Sequence, residues 1–199
     1  MKSYFQFINT FLKENKVFFL LAFLYVLICI LVFLFYPLPE DIKSQLIKQT
    51  YQVVQNIAHL WNTHLKLVFF IFLNNAFIWL IIFLTGFLLS FWGLFIVFAN
   101  VFITWLIITV GIEKMWLLKS LLAILPHWIF EITAILLSLG LSFKLTYLVV
   151  KKIWNWKNVK FWIEFKKMIY FWFGFILPLL LFAAFIESFV TPLLVGKSI

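Results

Sequence analysis

LLKSLLAILPHWIFEITAILLSLGLSFKLTYLVV, residues 117–150, is the stretch on which the fold turns. As one straight helix at 1.5 Å per residue it would run roughly 51 Å, well past a bilayer core of about 30 Å. Pro126 sits inside it and cannot donate a backbone hydrogen bond, so the sequence predicts a kink. Two layouts fit: one long bent helix, or a re-entrant piece followed by the true span. In either case the backbone must satisfy itself, because lipid offers it no partners.

Working outward, four more apolar runs reach the roughly 20 residues that a crossing needs: 17–35, 65–89, 91–111 and 169–195. The last contains Pro178 and Pro192. Composition agrees: 66% of the 199 residues are hydrophobic and 12% are charged. Soluble domains have about 45–50% and roughly 25%. That excludes a soluble globular fold, and 28 Phe, 10 Trp and 6 Tyr argue against disorder. The expectation is an all-α polytopic membrane helix bundle, one domain over 1–199, with about five transmembrane helices and a Pro-kinked fourth. A tight turn near residues 90–93 should join the second and third. The first run is too long for a signal-peptide core and lacks a cleavage pattern, so it reads as a retained anchor.

Two connecting segments read as interfacial. In 41–64, Ile42, Leu46, Val53, Ile57, Leu60 and Trp61 recur at helical steps among polar residues, which predicts an amphipathic surface helix. Segment 151–168 mixes lysines with Trp154, Trp156 and Trp162, the usual anchors of a lipid interface. Net charge is +9, yet every basic residue is Lys. Without Arg for bidentate recognition, the basic clusters point to the lipid bilayer as partner and not to nucleic acid. Nine lysines fall on the side of the N-terminus and the 151–168 loop, against six opposite. The positive-inside rule then predicts a multi-pass cell-membrane protein, N-terminus cytoplasmic and C-terminus outside. Cys29 is the only cysteine, so internal disulfides and cysteine-based zinc sites are excluded. His59 and His64 read as solvated.

Polar residues inside the spans are the candidate site: Asn74, Asn75, Asn100, His127, Glu131, Glu187 and Thr191. Counting along the five spans puts Asn74, His127, Glu187 and Asn100 on the order of 12–17 Å below one face, with Glu131 about 6 Å deeper. A carboxylate facing lipid costs about 2.5–3.5 kcal/mol on insertion scales, so these groups should converge in the bundle interior. His127 and Glu131 share a helix face at i and i+4. Pro126 and Pro192 leave the carbonyls of Leu122 and Ser188 without helical donors, and Pro178 is a third kink point. Gly86, Gly93 and Gly140 read as close-packing points. Lys144 is expected to snorkel, and Ser and Thr residues to bond their own helix carbonyls. For each Asn the plain alternative is interhelical glue, worth about 0.6–2 kcal/mol. No Gly-rich phosphate loop, nucleophile elbow or His-Glu-x-x-His helix is present, so no catalytic residues and no cofactor are expected.

Asn74-Asn75, Gly86, Gly93, Asn100, Leu125-Pro126-His127-x-x-x-Glu131 and Ala183-Ala184-Phe185-Ile186-Glu187-Ser188-Phe189-Val190-Thr191-Pro192 occur in this order. Over roughly residues 65–192 the chain resembles the stage II sporulation protein M family of integral membrane proteins. It departs from that pattern at Trp128 and Val101, where relatives commonly carry Gly. The resemblance implies five spans. It also implies membership of a membrane complex, since the namesake helps recruit peptidoglycan-degrading enzymes during engulfment. The family occurs in non-sporulating organisms too, so a sporulation role does not follow.

Three functions are compatible with these residues. The first is a non-enzymatic scaffold or complex subunit with protein partners, a homo-oligomer being one form of it. The second is a transporter or channel for a proton, ion or small solute, working through Glu131, Glu187 and His127. The weakest is a metal-dependent intramembrane hydrolase or lipid-modifying enzyme with His127, Glu131 and Glu187 as ligands.

Overall fold

A computed structural model describes residues 2–35, 39, 41, 44–46, 48–49, 64–115, 117–154 and 160–195. The proposed surface helix 41–64 lies largely outside them. Among the described residues there is no strand, and five helices are long and apolar enough to cross a membrane. In chain order the elements begin with α1 (Lys2–Glu14) and α2 (Lys16–Phe35). Next come α3 (His64–Leu84) with a 3-10 turn (Thr85–Leu88), α4 (Phe91–Met115) and α5 (Leu117–Ile153). The chain closes with α6 (Phe161–Phe171), α7 (Leu177–Phe185) and α8 (Thr191–Val195), joined by two π-helical turns into one unbroken rod.

Helix α5 resolves the two layouts in favour of one continuous helix, 37 residues long, with Pro126 inside it. From Ala134 to Leu145 it is buried on nearly every side, among them Ala134, Leu139, Leu141 and Leu145 at 0% exposure. A helix that is apolar all round is one enclosed by others. Helices α2, α3, α4 and the last rod pack around it. Gly140 permits the closest approach: a Cβ there would overlap the Phe19 ring of α2. Helix α2 offers Ala22, Val26 and Cys29 to the bundle and leaves its other faces to lipid.

The hairpin between α3 and α4 turns at Leu89 and Ser90, the second of which lies within the expected 90–93 window. Both residues have positive φ, 56° and 58°. A left-handed non-Gly residue costs roughly 1–2 kcal/mol. Ser90 offsets this by burying its side chain in hydrogen bonds to α5, described below. Gly93 already belongs to α4, where a Cβ would meet Thr85 Oγ1. A Cβ at Gly86 would strike the Ser142 carbonyl oxygen and stand 2.7 Å from Leu145 Cβ.

Two features depart from expectation. The N-terminal residues form the amphipathic helix α1, whose Ile8 and Phe11 are buried. Phe11 stacks on Phe171 with centroids 4.7 Å apart, and Phe7 meets Tyr170 edge-on at 5.2 Å. Asn15 turns the chain into α2, its side-chain amide donating to the Phe11 carbonyl at 2.7 Å. The last span also begins earlier than residue 169. Helix α6 starts at Phe161, within the segment read as interfacial, and continues directly into the rod. The π-turns Trp172–Ile176 and Ile186–Val190 sit just before Pro178 and Pro192. An i→i+5 register there accommodates residues whose missing N–H breaks the ordinary ladder.

Candidate functional site

At the end of the bundle away from the α3–α4 turn, three rods bring polar groups together. Asn75 comes from α3, His127 and Glu131 from α5, Glu187 from the second π-turn and Thr191 from the start of α8. Counting from the nearer ends of their spans, these residues lie about 5–15 Å into the apolar layer. The Asn75 side-chain amide donates a short hydrogen bond to the Glu131 carboxyl. Thr191 Oγ1 and His127 Nδ1 are 3.5 Å apart, at the long limit for a hydrogen bond. Glu187 interacts electrostatically with Glu131, and among the described residues no donor reaches its carboxyl. All five side chains are half-buried. Glu187 is the second residue of that π-turn, which packs against both α3 and α5.

Not every proposed member joins. Asn74 is exposed, which follows from its place about 100° around α3 from Asn75. Asn100 is half-buried on α4, its carbonyl accepting from Thr104 Oγ1 at 3.0 Å, and its side chain is not hydrogen-bonded into the cluster. Nor do His127, Glu131 and Glu187 make a metal ligand set. Among the described residues no three His, Cys, Asp or Glu side chains are placed to hold one ion.

The opposite end holds two polar networks that the sequence reading missed. Lys144 does not snorkel. It is 5% exposed, and its ammonium donates to Glu164 Oε2 at 2.6 Å and lies 4.7 Å from the Phe11 ring centroid. Lys167 takes the other Glu164 oxygen at 2.7 Å. The available signal was Glu164 itself, the one acid in 151–168.

The second network is built from hydroxyls. Ser90 Oγ lies 2.8 Å from Ser142 Oγ and 2.7 Å from Thr146 Oγ1, and Thr146 donates to the Gly86 carbonyl at 3.0 Å. Thr85 donates to the Ile82 carbonyl at 2.6 Å and stands 3.2 Å from Ser142 Oγ. These five contacts share four hydroxyl protons, so the longest, Thr85 to Ser142, is the one without its own. Thr104, Thr109 and Thr133 do bond their own helix carbonyls, whereas this group bridges helices. Ser138, Ser142 and Thr146 recur every four residues on one face of α5, a pattern legible in the sequence.

Fold and site together define a polytopic all-α membrane protein with a two-acid polar cluster inside its helix bundle. Comparison of the sequence with family models places it further. The chain belongs to the stage II sporulation protein M family, whose model matches residues 17–192. No curated protein and no solved structure matches it.

Proposed function

We propose that this protein is a non-enzymatic subunit of a membrane complex, and that the Glu131–Glu187 cluster is its assembly element. One observation carries the reading. Two carboxyls are left half-buried inside the apolar layer, and Glu187 has no hydrogen-bond donor among the described residues. Intramembrane acids are costly and mark partner or substrate sites by default. A partner covering them would remove that cost. Family membership supports the same reading, since the resemblance implies a complex.

The test is co-purification in mild detergent from native membranes. The same protein should be recovered repeatedly by the wild-type chain and lost when Glu131→Gln and Glu187→Gln are combined. Repeated recovery of no partner would sink the proposal.

For orientation, we place the N-terminus and the 151–168 segment in the cytoplasm, on the lysine balance. Reporter fusions at the two termini should then report opposite sides. A second reading, ion or solute transport, is favoured by the π-turns and prolines beside the acids, an arrangement also used by secondary transporters. Proteoliposomes showing no pH- or ion-dependent flux would remove it.

A further inference from the structure

We infer that this protein forms a homodimer through α3, with Asn74 of one copy hydrogen-bonded to Asn74 of a second. The contact is separate from the Glu131–Glu187 cluster and goes beyond the subunit reading above. Asn74 lies nine residues from Leu65, where its span begins, and so about 14 Å into the apolar layer. Asn75 turns inward to Glu131, whereas the Asn74 side chain is exposed, and among the described residues nothing hydrogen-bonds to it. A carboxamide facing hydrocarbon leaves two N–H donors and a carbonyl acceptor unsatisfied, which is costly where no water can reach them. The same face of α3 also exposes Phe70, Leu73 and Phe77.

The occupant of this face follows from the chemistry of the amide and from symmetry. A carboxamide is self-complementary, since its N–H donates and its carbonyl accepts, so two of them face to face close two hydrogen bonds. Identical chains insert the same way up, so Asn74 of the second copy lies at the same depth. A twofold axis along the membrane normal then sets the two amides opposite each other. Any other partner would need a polar group placed at that depth. Next to Asn74 the face is hollowed by a groove of about 480 Å³, lined by Leu65, Lys66, Phe69, Phe70 and Leu73. Aromatic rings from the second α3 can pack into it at the density that helix association in lipid depends on. Lys66 is exposed at the start of α3, so its ammonium can turn to the interface and away from its counterpart.

The experiment uses the purified full chain in phosphatidylethanolamine–phosphatidylglycerol vesicles. Donor- and acceptor-labelled copies are mixed and diluted with lipid, so that energy transfer reports self-association. Asn74→Leu should weaken association about tenfold, whereas Asn74→Gln, which keeps the amide, should retain most of it. Asn74→Leu places an apolar side chain against lipid, so thermal unfolding of the detergent-dispersed monomer should not fall. A fall would reveal a role for Asn74 inside its own bundle and overturn the inference.

A second arm leaves Asn74 unaltered. On a Cys29→Ser background, a single cysteine is introduced by Phe70→Cys, one turn from Asn74, or by Ile103→Cys on α4; both positions are exposed. Copper-phenanthroline oxidation should link dimers of the Phe70→Cys variant and not of the Ile103→Cys variant. No self-association, association untouched by Asn74→Leu, or linkage at Ile103→Cys alone overturns the inference and assigns this face of α3 to lipid or to a different protein. Because the purified chain is its own probe, the result stands apart from whether a native partner is recovered with the Glu131–Glu187 cluster.

Discussion

Lys144 and Gly86 show how much a single position can carry in this bundle. Breaking a buried ion pair from one side strands the other charge, at a cost on the order of 3 kcal/mol. Glu164→Gln should therefore lower unfolding stability in detergent by up to that amount, somewhat less because Glu164 is 28% exposed. Adding Lys144→Met to it should recover at least half of the loss, since the stranded ammonium is gone. A double variant as unstable as Glu164→Gln alone would contradict the pairing. Gly86→Ala should cost roughly 1–3 kcal/mol, because its Cβ meets backbone on α5 that cannot move aside. Gly174→Ala should cost less, because its Cβ meets the Tyr4 hydroxyl, the tip of a side chain on α1. Thermal unfolding of the two variants side by side checks the order. At this scale the sequence named Glu131, Glu187, His127 and Asn75 by a simple anomaly, polar groups in apolar runs. It could not say that Asn75 joins the cluster and Asn74 does not, because that depends on the rotation of α3 about its own axis.

The long fifth helix and the last rod show what proline does in a membrane. Pro126 leaves α5 continuous, while Pro178 and Pro192 each follow a π-turn. Deleting Phe189 removes the residue that the second π-turn accommodates, so the turn should return to an α register with Thr191 still facing His127. With Cys29 replaced by Ser, a His127→Cys and Thr191→Cys pair should be joined by a short bifunctional thiol reagent in the full-length chain. The deletion variant should be joined as efficiently as its parent; loss of cross-linking on deletion would show that the π-turn does not absorb that residue. The prolines alone marked where the helical ladder is interrupted. The form of each interruption was not readable, because whether a helix bends or widens depends on which neighbouring groups take up its freed carbonyls.

The bundle as a whole is packed at one end and more open at the other. Around the α3–α4 turn, hydroxyls, the Lys144–Glu164 pair and the aromatic face of α1 lock α3, α4, α5 and α6 together. Towards the other end, α5 passes from full burial at Ala134 to half-burial at Glu131 and His127, so the polar cluster marks where tight packing stops. Helix α1 is part of the packed end. A chain starting at residue 15 should still insert its five spans but melt at lower temperature than the full chain, since it lacks the Phe11–Phe171 stack. Unchanged melting would mean that α1 contributes nothing to the bundle.

By itself the sequence determined the medium, the number of crossings and the residues that are costly there, because apolar run length and the energy of burying charge are local properties. Tertiary structure decided which of those residues meet, that Lys144 is paired and not snorkelling, and that Ser and Thr bridge helices. Those outcomes depend on helix rotation and register, which are set by the packing of five helices against one another and by no single stretch of chain.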